Sequence, residues 1–414
     1  MVSLTDLPAV SEKRIAVRLT PDALRQVRAG HPWIYDGSID SIGGDADSRS
    51  SGDLAVVFDE KRKFAAIGLY DPDSPIVVKV LHRGRPRQID TEFWQEAVTK
   101  AMDVRRPLVA STRTTAYRCI NGENDGFPGL VLDRYADTLV LKLYSRAWLP
   151  HLRDVIAAVV EQLEPTTIVV RFGRAAADGP TFGLEEGSVI YGPAPDGPVE
   201  FLENGLRFEC DVIEGQKTGH FLDQRDNRAL VQDLAEGARV LDVFSCTGGF
   251  SIHAASGGAS FVLSVDQSPQ AIEGVDRNFE LNADDEAVAA CRRKTEVGDA
   301  FVIMEELAAQ GERFDIVVID PPSFAQRQDS IGGALRAYTR LTNLGLDLLG
   351  AGGLLVQASC SSRVTADAFY DGVFSVARSR PVRLREIART EHAIDHPVTF
   401  PQGAYLKALF AEVG

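Results

Sequence analysis

The chain has 414 residues, 44% hydrophobic and 25% charged; no apolar leader opens it and no run of about 18 apolar residues interrupts it, which argues against export and against a membrane span. Its net charge of −15 disfavours coating nucleic acid by bulk charge, yet residues 1–85 balance at 12 basic and 12 acidic while residues 201–414 carry 20 against 31. Five scattered cysteines (Cys119, Cys210, Cys246, Cys291 and Cys360) form no CxxC pair and no zinc spacing, so reduced thiols, no metal and a cytoplasmic protein of two or three domains are expected.

Residues 14–82 are predicted as short strands, among them "RIAVRL", "DLAVVF", "FAAIGLY" and "PIVVKVL". One helix interrupts them, with Thr20 as N-cap, Pro21 at its first position and Gly30 just past its end. The pattern predicts a small β-barrel domain over residues 1–85. Its stretches "AGHPWIYDGSI", "SGDLAVV" and "GLYDPDSPIVVKVL" resemble a PUA domain, which implies RNA binding.

Residues 86–198 predict a central α+β domain: a helix in "DTEFWQEAVTKAMDVR", strands around "NGENDGFPG", a helix ended by Pro165 and the strand "TTIVVRF". "YGPAPDGPVEF" marks the boundary. From residue 199 to 414 buried-strand runs ("ARVLDVF", "FVLSVD", "FDIVVID", "GGLLVQAS") alternate with helical segments. That alternation predicts an α/β domain with a parallel sheet and helices on both faces. "HPVTFPQGAYLKALF" is expected to close it as a β-hairpin.

Three acids follow successive strands of this last domain. Asp242 ends the first, before the glycine turn Gly248-Gly249, where a missing Cβ lets backbone approach a ligand. Asp266 ends the second, placed to accept a pair of ribose hydroxyls, and Asp299 follows the third, placed to read an adenine amino group. A fourth run ends in Asp320-Pro321-Pro322, whose prolines hold the acid and nearby carbonyls rigid. Cys360, in "QASCSS", ends the next strand and is expected to face the same crevice.

This order resembles class I S-adenosylmethionine-dependent methyltransferases, which implies a Rossmann-like fold with a seven-stranded, mostly parallel sheet. The resemblance implies that Asp242, Phe244, Ser245, Thr247, Gly248, Gly249 and Phe250 form the methionine-side loop, that Asp266 and Gln267 hold the ribose and Asp299 the adenine, and that Asp320-Pro321 borders the acceptor. With "NGENDGFPGLVLDRY", "EGQKTGHFLDQRDNR" and "SCS", nearly the whole chain is similar to the bacterial 23S rRNA cytosine-5 methyltransferases that carry a PUA domain. That implies Cys360 as nucleophile, Asp320 as its catalytic partner at the base, and Phe221, Asp223, Gln224 and Arg225 as a cap on the cofactor. The implied partner is 23S rRNA, and a homodimer is allowed.

Ser323 departs from the pattern, since many RNA cytosine-5 methyltransferases place a second cysteine there. "DPPS" instead matches enzymes that methylate exocyclic amines of guanine or adenine. The acidic pI of 5.0 leaves a small-molecule methyltransferase as a further alternative, and a non-catalytic RNA-binding protein is the reading from another class. The other cysteines, His220 and His396 are expected to be structural; the place of Cys291 before Arg292–Arg293 allows it to be either packed or exposed.

Overall fold

The computed structural model describes residues 4–215, 219–325 and 328–414. The chain divides into two compact units: one of Met1–Phe201, Cys210–Leu222 and Ile394–Gly403, the other of Leu202–Glu209, Asp223–Ala393 and Ala404–Gly414.

In the first unit, β1 (Arg14–Leu19), β2 (Trp33–Tyr35), β3 (Ile39–Ile42), β4 (Leu54–Phe58), β5 (Phe64–Tyr70) and β6 (Ile76–Arg83) form one sheet, ordered β2-β6-β5-β4-β1-β3. Alternation sets its faces: Ile15, Val17 and Leu19 are buried while Arg14, Ala16 and Arg18 are exposed. The helix Pro21–Arg28 is capped as the sequence predicts, Thr20 accepting the Ala23 N–H at 3.3 Å, with Gly30 at φ +110° past its end.

A second sheet, ordered β11-β10-β9-β8-β7, contains β7 (Ala116–Asn121), β8 (Leu130–Tyr135), β9 (Thr138–Leu143), β10 (Thr167–Phe172) and β11 (Ser188–Tyr191). The helices Thr91–Val104 and Leu152–Leu163 accompany it. One apolar cluster joins Leu54, Leu69 and Leu81 of the first sheet to Trp94, Phe127 and Trp148. Asp71, buried, takes hydrogen bonds from Lys79 at 2.7 Å and from Ser145 at 2.6 Å. The two sheets therefore share side chains across residue 85.

The segment Ile394–Gly403 is built into this unit. Arg105, fully buried, uses all five of its N–H donors: on Ala101, Arg118 and Asp395 carbonyls and twice on the Asp125 carboxylate. The Asp395 carboxylate accepts the Arg118 N–H at 2.9 Å.

A two-stranded hairpin, β12 (Val199–Glu203) and β13 (Leu206–Cys210), marks the passage along the chain to the second unit. That unit is built on β14 (Arg239–Val243), β15 (Phe261–Asp266), β16 (Arg292–Val297), β17 (Phe314–Ile319), β18 (Leu349–Ser359), β19 (Leu384–Thr390) and β20 (Lys407–Val413), ordered β16-β15-β14-β17-β18-β20-β19. The first five run parallel, and β20 lies antiparallel to both β18 and β19. This is the seven-stranded, mostly parallel sheet of an α/β, Rossmann-like domain. Strand order reverses between β14 and β17, and at such a switch point side chains leaving the two carboxyl ends enclose a crevice.

The closing hairpin differs from expectation. β20 begins only at Lys407 and pairs with β19, not with the "HPVTF" segment, which packs in the first unit. β19 escapes sequence reading because it is an edge strand with alternating exposed charge and no apolar run. No helix among the described residues is long and apolar enough to cross a membrane.

Candidate active site

Asp242 ends β14 with 1% exposure. Its Oδ2 accepts the Ser251 hydroxyl at 2.6 Å, and Ser251 also bonds Ser264 at 2.7 Å. Its Oδ1 is buried with no hydrogen-bond partner, and so is the Ser245 hydroxyl. Burial pushes the Asp242 carboxyl up to about 7; the charges of Asp320 and Asp266 add to the rise and the Ser251 bond opposes it.

The turn after β14 is strained. Phe244 (φ +63°) and Cys246 (φ +47°) occupy the left-handed region, with Gly248 at +81°. A Cβ on Gly248 would come 2.8 Å from Ile252 Cδ1, and one on Gly249 would come 2.8 Å from Arg228 Cδ. Packing within the fold is therefore one reason for glycine at both positions, and the positive φ is a second at Gly248. Arg228 is itself fixed by Glu203, bidentate at 2.6 and 2.7 Å, both buried.

Asp266 closes the turn from β15: its Oδ2 accepts the Cys246 N–H and its Oδ1 the Ser268 N–H, both at 2.9 Å. Gln267 is exposed, Phe250 buried and Thr247 half-buried, with the Thr247 carbonyl held by Asn278 at 2.9 Å. Phe244 lies edge-on to Phe301 at 6.4 Å. Asp299 caps the helix Ala300–Ala309, accepting the Phe301 and Val302 N–H groups on Oδ1. The orphaned Asp242 oxygen and Ser245 hydroxyl need a polar partner, and the carboxylates at the β14 and β15 ends and after β16 accept amine and hydroxyl donors. These residues fit S-adenosylmethionine.

Across the switch point, Asp320 follows β17. Its Oδ1 accepts Gln224 Nε2 at 2.9 Å, and Gln224 Oε1 in turn takes the Asn227 amide, which also bonds Thr390. Gln224 therefore holds Asp320, a link between positions 96 apart that sequence reading missed. Arg225 is buried beside Asp226, and Asp223 accepts the Tyr405 hydroxyl at 2.8 Å. Phe221 belongs to the first unit.

Cys360 is half-buried, with Sγ 3.8 Å from the Pro321 carbonyl oxygen. The thiol and the Asp320-Pro321 turn are thus brought together. Its flanks are fixed: Ser359 bonds the Tyr338 hydroxyl at 2.8 Å and Ser361 the Ala325 carbonyl at 3.1 Å. Burial pushes the Tyr338 phenol up, so it stays protonated. Lys407, also unforeseen, is buried close by and bonds carbonyls of residues 361, 364 and 405.

The remaining expectations sort as follows. Cys119 and Cys210 are buried, and burial pushes the Cys119 thiol up to about 12. Cys291, the C-cap of the helix Glu286–Ala290, is buried too, so of the two states the sequence left open it takes the packed one. His220 is bonded through its backbone to the Tyr135 hydroxyl, and His396 lies buried 3.3 Å from Asp395; both belong to the first unit. Arg380 pairs with Asp347 and Arg385 with Glu412, while Arg293 lies over Phe279 at 4.9 Å. Among the described residues no three His, Cys, Asp or Glu side chains gather as metal ligands would.

Comparison with known proteins agrees with this geometry. The S-adenosylmethionine-dependent methyltransferase family matches residues 190–411, and a PUA-like domain matches residues 17–83. A ribosomal RNA large subunit methyltransferase of Deinococcus radiodurans is 44% identical over 98% of this chain and 99% of its own length. Ribosomal RNA large subunit methyltransferase I of Tolumonas auensis is 35% identical over 95% and 98%. The fold matches the crystal structure of SMU.776 complexed with SAH, with a TM-score of 0.81 and 21% identity, over 96% of this chain and 99% of that one.

Proposed function

Because the chain belongs to the S-adenosylmethionine-dependent ribosomal RNA large subunit methyltransferases, we propose that it methylates carbon 5 of a cytosine in 23S rRNA through a covalent adduct on Cys360. One observation carries this reading: the Cys360 sulfur sits 3.8 Å from the Pro321 carbonyl, against the turn that holds Asp320. An exocyclic-amine methyltransferase needs the acid and the rigid turn but has no use for a thiol there.

Carbon 5 of cytosine is a weak nucleophile. A thiolate adding at carbon 6 turns the ring into an enamine whose carbon 5 is electron-rich. S-adenosylmethionine, when bound, supplies an electrophilic methyl carbon on a sulfonium. Asp242, Ser245, Asp266 and Asp299 would hold it. Asp320, kept in place by Gln224, would accept a hydrogen bond from the amino group of the base and steady the adduct. A base then removes the carbon 5 proton and the thiol leaves. The target base must lie outside its stack to reach the thiol. In this reading residues 1–85 receive the RNA, residues 86–198 bridge, and residues 199–414 catalyse.

The test is Cys360→Ala on undermodified 23S rRNA, read by nucleoside mass spectrometry. The expected outcome is loss of 5-methylcytidine by at least about a thousandfold with S-adenosylmethionine binding retained. Formation of 5-methylcytidine at the parental rate would remove the nucleophile. The "DPPS" sequence, with Ser323 in place of a second cysteine, favours a second reading on an exocyclic amine. It predicts N2-methylguanosine or N6-methyladenosine, unaffected by Cys360→Ala.

A further inference from the structure

Lys407 is the first residue of β20 and pairs with Ser359 of β18, one position before Cys360. It is a charged residue with 3% exposure, and its partners are all neutral. Nζ donates to the carbonyls of Ser361, of Val364 at 2.7 Å and of Tyr405 at 3.1 Å. An ammonium has three N–H donors and here each has its own acceptor, whereas a neutral amine would leave one carbonyl unserved. The geometry thus asks for the cation in a place where carbonyl dipoles, and no carboxylate, answer it.

We propose that Lys407 is a positioning residue that pins the turn 361–364 and, as a cation, favours the thiolate form of Cys360. Among the described residues, the ionisable groups bearing on this corner include Lys407 on β20, Tyr338 on the helix Ile331–Leu348, and Asp320 after β17. Tyr338 stays neutral, Asp320 opposes a second negative charge, and Lys407 favours one. Burial lowers the Lys407 ammonium to about 8, and the charge of Cys360 acts the other way, raising it. The coupling is reciprocal: a thiolate that stabilises the ammonium is stabilised by it to the same extent. The use of that thiolate in catalysis rests on the reading of Cys360 as nucleophile; its acidity does not.

The experiment measures Cys360 alone. Full-length protein is alkylated with iodoacetamide across pH 6–10, and the rate at Cys360 is read by peptide mass spectrometry. Lys407→Met is expected to raise the midpoint by about one pH unit and slow alkylation at pH 7 about tenfold, while Lys407→Arg keeps most of the effect. A folded Lys407→Met protein with an unchanged midpoint overturns the proposal. If that variant does not fold, the reciprocal measurement decides. In Cys360→Ser, the Lys407 ε-carbon resonance, followed by NMR on 13C-lysine protein, is expected to titrate at lower pH than in the parent. An unshifted titration overturns the proposal. Loss of 5-methylcytidine chemistry as the function would leave both readouts standing, so the two claims fail separately.

Discussion

Asp242 shows how burial of a single carboxyl ties stability to pH. Its carboxyl rises from 3.8 to about 7, chiefly through burial. The folded chain therefore keeps a proton that the unfolded chain releases, and the stability this gives is full below pH 3.8 and lost as pH rises through 7. The shift corresponds to a few kcal/mol in order of magnitude. Asp242→Asn is expected to flatten the fall in melting temperature of the ligand-free protein between pH 4.5 and 8, and to weaken S-adenosylmethionine binding about tenfold by calorimetry. A parallel melting profile in both proteins would contradict this. Gln224→Leu removes the donor on Asp320 and is expected to cut turnover about tenfold, as loss of an orienting hydrogen bond does; single-turnover kinetics checks it. At this scale the acids were legible, because strand ends announce them. Gln224 on Asp320 and Lys407 beside Cys360 were not, because each pairs positions tens of residues apart whose register only the folded sheet fixes.

At the scale of elements, the turn after β14 is the strained part of the site. Gly248→Ala would force a Cβ into a left-handed backbone and within 2.8 Å of Ile252. It is expected to cost about 1–3 kcal/mol, read as a lower melting temperature. Gly249→Ala would press on Arg228, whose partner Glu203 is wholly buried, and is expected to cost as much or more. The sequence announced this turn through its glycines, but not the packing of Arg228 against Gly249, because that neighbour becomes visible only once its helix is docked. Strands with apolar runs were equally legible, and the helix capped by Thr20 emerged as read. β19 was not, since an edge strand of exposed charge has the composition of a loop.

At the scale of the molecule, the acidic balance and the RNA reading meet in the distribution of charge. The overall value is −15, but residues 1–85 are neutral. Phosphate contacts there predict a fall of log K with log salt, by roughly 0.7–0.9 per phosphate neutralised. Filter binding to 23S rRNA fragments between 50 and 300 mM salt checks it, and a flat line would point instead to a small-molecule substrate. The α/β class and its central parallel strands were readable from alternating buried runs, whereas the exposed edge strands were not. The sharing of one apolar cluster between the first two sheets was not, because contacts between sheets leave no periodic trace.

The excursion of Ile394–Gly403 out of the catalytic half has a practical corollary for anyone dissecting this enzyme. No single scission yields two self-sufficient pieces: a fragment beginning at residue 199 would carry an arm whose Asp395 backbone carbonyl and carboxylate had been served by Arg105 and Arg118, now stripped of both. Gene fusions, split reporters and swaps of the amino-terminal half between homologues should therefore carry this decapeptide along with the half that clasps it.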